Sequence, residues 1–311
     1  MIRFVLLLLL LTPILANAQT TKELRRSAYQ DAESGRIKEA TEKFVKLVQS
    51  EEAVASDYAA LGYILQNIES YKNALDVYNY GIEAFPDSSI VYIRKGVLLY
   101  NAGAHTDAIE VYTKALSLES DPDTRAHILL NRGSCYNSIR KFEEAAADYQ
   151  LIYLQDSSDV DMLTNYSIVV AELGRYDDAL VYLTRANRIE PENAAVINNL
   201  GFLHQYLDQH QKAIVYFDKQ LELEPHSALA YSNRGYSKLH LGDLDGALKD
   251  VNASLNRLPD NSYAYCTKGM ILQAQGDDDN ACIAWNMAEQ LGYTREHGDK
   301  VEKLLKEHCV K

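Results

Sequence analysis

Small side chains recur along the chain at a near-constant interval. Ala28, Gly62, Gly96, Gly133, Ser167, Gly201, Gly235 and Gly269 stand 34, 34, 37, 34, 34, 34 and 34 residues apart. Twelve residues after each comes an alanine: Ala40, Ala74, Ala108, Ala145, Ala179, Ala213, Ala247 and Ala281. Four residues further on stands a large apolar or aromatic side chain, Phe44, Tyr78, Tyr112, Tyr149, Leu183, Phe217, Val251 or Trp285. Positions four apart lie one turn from each other on the same helix face, so the alanine and the bulky residue mark one buried stripe, and the small residue marks the helix before it. Turn signals such as Leu173-Gly174-Arg175 and Leu241-Gly242-Asp243 separate the two helices, with glycine suited to a left-handed C-cap. Pro86, Pro122, Pro191, Pro225 and Pro259 fall at or next to the ends of the intervals, where a missing N–H and a fixed φ end a helix at little cost. Each interval therefore predicts helix, turn, helix, and the fixed period predicts a stack of such pairs.

This pattern resembles the tetratricopeptide repeat, whose W-x2-L-G-x2-Y…A-x3-F…P consensus has the same period. The match is plainest in Y-S-N-R-G-x2-K…A-x3-V…P, residues 231 to 259. It covers about residues 21 to 295 in eight units, and implies an all-α fold, a right-handed α-solenoid. The first unit has Ala28 for Gly and no closing proline, the fifth has Ser167, and three extra residues near Ser120-Asp121-Pro122-Asp123 lengthen the turn before the fourth. Residues 296 to 309, EHGDKVEKLLKEHC, carry a narrow apolar stripe of Val301, Leu304 and Leu305. They are expected to form the capping helix that covers the last apolar face of an open stack.

The first residues, MIRFVLLLLLLTPILANAQT, change the picture of where the stack works. Arg3 precedes an apolar run from Phe4 to Leu15 and an Ala16-Asn17-Ala18 cleavage pattern, the form of a secretory signal peptide. The expectation is a signal peptide at residues 1–18, an exported product at residues 19–311 forming one repeat domain, and a periplasmic or secreted location. The apolar run is too short for a comfortable membrane span of roughly 20 residues, so no membrane insertion is expected after cleavage. The whole chain has 31 basic and 44 acidic side chains, a net charge of −13. Nucleic acid is an improper partner for such a chain because its phosphates would be repelled.

Chemistry-bearing motifs are missing. His204 and His210 lack the i, i+4 spacing of a helical metal pair, and the sequence has no phosphate loop, nucleophile elbow or C-x-x-C pair. Glu143-Glu144 and Asp177-Asp178 fall at starts of second helices, where negative charge complements the helix dipole. No enzyme, metal or cofactor is expected.

Function is then expected on the surface that the repeats expose. In the family that the chain resembles, the first helices line a concave groove, at positions one, four and five after the small residue and three and six before it. Those positions hold Ile90, Ile93, Val97 and Leu130, then Phe202, Tyr206, Tyr236, Leu239, Tyr263 and Met270, with few charges: Glu33, Asp161, Glu172, Lys22 and Arg25. An apolar and aromatic trough of this kind marks a binding surface, although burial between neighbouring first helices would account for many of the same residues. Asn131, Asn165, Asn199 and Asn233 stand two residues before the small position in four consecutive units. Such amides can exchange hydrogen bonds with an extended peptide, as an asparagine ladder does in some groove-binding members of the family, or can simply satisfy nearby backbone. The carboxylate clamp of other members needs Lys, Arg and Asn where this chain has Tyr63, Val97, Leu130 and Ser134, which excludes that partner class. The expected function is a non-catalytic protein-interaction scaffold of the envelope or secreted fraction, binding an extended polypeptide segment. The alternative is a glycan or cell-wall accessory protein using the aromatic rings.

Four cysteines, Cys135, Cys266, Cys282 and Cys309, bear on the same question. The segment ACIAWNMAEQLGY…LLKEHC resembles the closing segment of secreted bacterial repeat proteins of this type, and implies a Cys282–Cys309 disulfide if the capping helix returns across the last unit. Cys266 is the alternative partner of Cys282, four reduced cysteines remain open, and Cys135 reads as a buried free thiol.

Overall fold

The computed structural model describes residues 21–309, so the expected signal peptide lies outside the described residues. Among these residues there are eighteen helices and no strand. The chain divides into two compact units, one ending at Arg140 and the other starting at Lys141. The first unit contains α1 (Thr21–Glu33), α2 (Ile37–Val48), α3 (Ala55–Asn67), α4 (Tyr71–Ala84), α5 (Ser89–Asn101), α6 (His105–Leu118) and α7 (Pro122–Ser138). The second contains α8 (Phe142–Gln155), α9 (Val160–Glu172), α10 (Tyr176–Ile189), α11 (Ala194–Tyr206), α12 (His210–Leu223), α13 (Ala228–His240) and α14 (Leu244–Arg257). It continues through α15 (Ser262–Ala274), α16 (Asp278–Gln290), α17 (Tyr293–His297) and α18 (Lys300–His308). Within each unit, consecutive helices pack as hairpins and each hairpin packs on the next.

The joint inside a hairpin follows from the repeated residues. All eight alanines are fully buried, and none of the eight bulky residues four positions on is more than 2% exposed. The bulky ring lies directly over the small position of the preceding helix. A Cβ added to Gly62 would come 2.2 Å from Tyr78, and one on Gly96 2.5 Å from Tyr112. In the second unit the same holds for Gly201 under Phe217 at 2.5 Å and Gly269 under Trp285 at 2.3 Å. Ser167 holds the small position where the following helix carries Leu183 in place of a ring, and its hydroxyl donates to the Thr164 carbonyl at 2.6 Å.

Turn and cap chemistry sets the ends. Seven residues after every small position the backbone enters the left-handed region, as Gly35, Glu69, Gly103, Arg140, Gly174, Asp208, Gly242 and Gly276. Several first helices start on a side-chain cap: Asp121 accepts from the Thr124 amide, Asp159 from Met162, Asn193 from Val196, Ser227 from Ala230 and Asn261 from Ala264. Each cap satisfies an amide that the helix itself leaves without a partner.

Three buried carboxylates are paired with cations. Asp57 meets Arg25 at 2.7 Å, Asp31 meets Arg36 at 2.6 Å and also Lys43, and Asp250 is held by Arg234 at 2.7 Å and Lys238 at 2.8 Å. The terminal segment departs from the expected single helix over 296–309. Gly298, at φ 87°, ends the one-turn α17, and the capping helix starts only at Lys300. Val301 is its fully buried anchor, with Leu304 and Leu305 packed beside it against the last hairpin.

Candidate binding surface

In the second unit, two sets of aromatic contacts lie on the helices, one joining α10 to α11 and one running from α12 to α17. Tyr176, which opens α10, stacks on Tyr206 from the end of α11, with centroids 6.0 Å apart and planes 12° apart. His210, which opens α12, stacks on His240 at 4.4 Å, and Tyr236 lies 4.4 Å from His240 and 5.7 Å from Tyr263. Tyr263 in turn meets His297 of α17 at 5.8 Å. In register, Tyr176 and His210 open second helices, Tyr206 and His240 end first helices, and Tyr236 follows the small position.

The trough residues differ in how far they reach solvent. Tyr206 is 68% exposed, whereas Phe202, Tyr236, Leu239, Tyr263 and Met270 are half-buried. Phe202 packs edge-on against Phe217 at 6.1 Å, Leu239 joins the core around Val251, and Met270 joins the core around Trp285. Phe202, Leu239 and Met270 thus serve partly as packing between hairpins, while the tyrosines keep polar edges toward water. Burial pushes the phenol of the half-buried Tyr236 up, with Cys266 and then Asp208 adding to it, and the Glu172 carboxylate stands near Tyr206. Partial desolvation holds His240 below the usual imidazole range, with His210 and Lys300 adding repulsion and Asp208 opposing it.

The asparagines do not act as one set. Asn233 is 2% exposed, and its amide donates to Asn198 Oδ1 at 3.3 Å, so it tethers neighbouring hairpins and is removed from the candidate ligand-binding residues. Its carbonyl and the Ser237 hydroxyl accept from Gln205 at 2.8 and 2.7 Å, which closes the site further. Asn165 and Asn199 in this unit, and Asn131 in the first, are half-buried, and their side-chain amides have no hydrogen-bond partner among the described residues.

The first unit has its own hollow, of about 360 Å³, lined by Tyr29, Glu33, Ser56, Ala59, Tyr63, Ile90 and Arg94 among others. Its lining positions are those singled out on first helices, but Tyr29 and Tyr63 were not among the favoured residues. The available signal was their register: each follows a small residue, as Phe202 and Tyr236 do. Arg94 lies 5.0 Å from the centre of the Tyr63 ring. Ile93 and Val97 pack instead against the core around Tyr112.

Cys282 and Cys309 are joined by a disulfide, with Cα atoms 5.7 Å apart, which ties α18 to α16. Cys135 and Cys266 are buried free thiols, and burial pushes the Cys135 thiol up to about 11. Among the described residues no group of three or more His, Cys, Asp or Glu side chains is placed to hold a metal ion, and no helix is long and apolar enough to cross a membrane.

Stacked helical hairpins presenting side chains from a repeated register define a helical-repeat scaffold. Residues 59–124 and residues 194–227 match two family models described as tetratricopeptide repeat. A 106-residue segment is 30% identical to Protein unc-45 homolog B of Xenopus laevis, covering 34% of this chain and 11% of that protein. Another of 132 residues is 29% identical to the Photosystem I assembly protein Ycf3 of a Synechococcus species, covering 38% of this chain and 76% of that one. Among solved structures, a tetratricopeptide repeat protein from Parabacteroides merdae aligns over 94% of this chain and all of its own, with TM-score 0.60 and 18% identity. The APC/C hetero-tetramer Cut9-Hcn1 aligns over 96% of this chain and 57% of its own, with TM-score 0.63 and 14% identity. YrrB, described as a TPR protein with an unusual peptide-binding site, aligns over 64% of this chain and 97% of its own, with TM-score 0.50 and 22% identity. At these identities the structural likeness is one of fold.

Proposed function

We propose that this protein is a non-catalytic scaffold that holds an extended segment of another polypeptide against the first-helix face of its second unit. The observation that carries the reading is the pairing, on one set of helices, of the exposed Tyr206 ring with the unpaired amides of Asn165 and Asn199. Aromatic faces take side chains and amides take main-chain groups, the two demands of an extended peptide. The peptide-binding site attributed to YrrB supports this use of the fold. The envelope or secreted fraction is the proposed setting, supported by the leader pattern at residues 1–18 and by a disulfide of the sort that persists in oxidising compartments.

Photo-crosslinking tests the reading. A benzoylphenylalanine at Tyr206, in the full chain, is expected to capture a polypeptide from the envelope fraction. The same group at Val215, 61% exposed on α12, is the control and is expected to capture none. Equal capture from both positions would refute the assignment of the face. Binding to a glycan array, with no polypeptide captured, would establish the alternative reading, in which the stacked Tyr176 and Tyr206 rings take a sugar.

A further inference from the structure

If the second unit's face binds a polypeptide, its rings also specify which side chain they take. The Lys300 ammonium of α18 lies 5.2 Å from the centre of the Tyr236 ring. In the first unit, taken by itself, the Arg94 guanidinium lies 5.0 Å from the Tyr63 ring. Tyr63 and Tyr236 hold the same repeat position, directly after Gly62 and Gly235. In each unit the chain has thus placed a cation of its own on one tyrosine of that register. The face of an aromatic ring is its negative pole, and a desolvated cation gains most there.

Tyr206 is the ring left open. One of its faces is covered by Tyr176, it is 68% exposed, and no cation lies over it among the described residues. The charges around the row favour a cation as well. Glu172 stands near Tyr206, and Asp208, 91% exposed, stands near Tyr236 and 3.0 Å from His210. The chain as a whole is strongly acidic, so a basic segment is drawn toward it and an acidic one repelled.

We infer that the Tyr176–Tyr206–Tyr236 face seats a lysine or arginine side chain of the extended partner, with Tyr206 as the open seat and Tyr236 the seat that the chain fills with its own Lys300. The partner is therefore a basic-residue-bearing segment, not merely an apolar one. This rests on the polypeptide-binding reading above, and the test separates the two.

An array of nonapeptides with randomised flanks carries Lys, Arg, acetyl-lysine, norleucine or Glu at its centre and is probed with the full chain. Lys and Arg peptides are expected to be retained about fivefold to tenfold better than norleucine or acetyl-lysine peptides, the range for a partly desolvated cation on an aromatic face. Tyr206→Leu keeps apolar area but removes the ring, and is expected to lower retention of Lys and Arg peptides by more than that of norleucine peptides, so that the preference between them shrinks. Equal retention of lysine and norleucine peptides would overturn the cation seat and leave peptide binding standing. No retention of any peptide by folded protein would overturn both. Displacement of bound lysine peptides by a neutral oligosaccharide such as laminarihexaose, unchanged in Tyr206→Leu, would also overturn the seat.

Discussion

A glycine inside a helix ordinarily costs about 1 kcal/mol against alanine, yet Gly62, Gly96, Gly201 and Gly269 all occupy helix interiors. The ring that crosses each one explains the choice, because any Cβ there would collide with it. Gly235 is the informative exception. Opposite it stands Val251, whose nearest atom is 3.0 Å from an added Cβ. Gly201→Ala is therefore expected to destabilise by about 1–3 kcal/mol through overpacking, while Gly235→Ala stays within about 1 kcal/mol of the parent because gained helix propensity offsets a mild contact. Urea midpoints of the two variants check this, and equal losses would refute the ring-over-glycine account. The same scale shows what the sequence could not settle about the site. The register of Asn233 was legible, but its direction was not: its amide turns to Asn198 one repeat back, a fact set by the spacing of hairpins rather than by residue type. Tyr63 was equally visible as a residue, and only the arrival of Arg94 from the next repeat gives it an electrostatic role.

At the level of the helical hairpin, the turn residue seven after the small position is left-handed whatever its identity. Five of these residues are glycines, and Glu69, Arg140 and Asp208 adopt φ of 59°, 59° and 56° without that freedom. A non-glycine residue there is strained by roughly 1–2 kcal/mol. Glu69→Gly is expected to raise stability by about 1 kcal/mol, and Gly174→Ala to lower it by about as much, both read from thermal or urea unfolding. Hairpin packing also makes stability depend on pH. In the unfolded chain the imidazoles of His204 and His240 take up a proton near pH 6.5, whereas in the folded protein burial of His204, and partial desolvation of His240 beside His210 and Lys300, delay protonation to lower pH. Below about pH 6.5 the unfolded state thus binds more protons, and stability falls as pH falls. The urea midpoint is expected to decline between pH 7 and pH 5, and His204→Gln with His240→Gln should flatten the decline; an unchanged slope in the double variant would assign it elsewhere. The repeat boundaries were readable because proline, glycine and the buried alanine mark them independently. The start of the capping helix was not, because Gly298 sits within an otherwise polar run where nothing in the hydrophobic pattern distinguishes a break from a helix surface.

For the whole molecule, a stack of repeats depends on its ends, since a terminal repeat has a neighbour on one side only. The disulfide between Cys282 and Cys309 closes a loop with a sequence separation of 27 and holds α18 over the last hairpin. Loop-closure entropy for that length amounts to about 3–4 kcal/mol. Trp285 reports on this region directly: it is fully buried, its indole donates to the Cys266 carbonyl at 3.2 Å, and its ring lies 5.8 Å from His308 of α18. Reduction is therefore expected to move the Trp285 emission transition to lower denaturant, and Cys309→Ser should do the same without a reductant. Whole-chain logic then links the bond to the proposed export. A chain processed at Ala18 begins at Gln19, and the same molecules should carry Cys282 bonded to Cys309 while Cys135 and Cys266 react with a thiol reagent only after denaturation. Intact mass of the envelope or secreted fraction measures leader loss, and non-reduced peptide mapping measures the bond. Processed protein with all four thiols free would refute the disulfide as a feature of the working molecule, and unprocessed protein confined to the cell interior would refute the export on which its persistence depends.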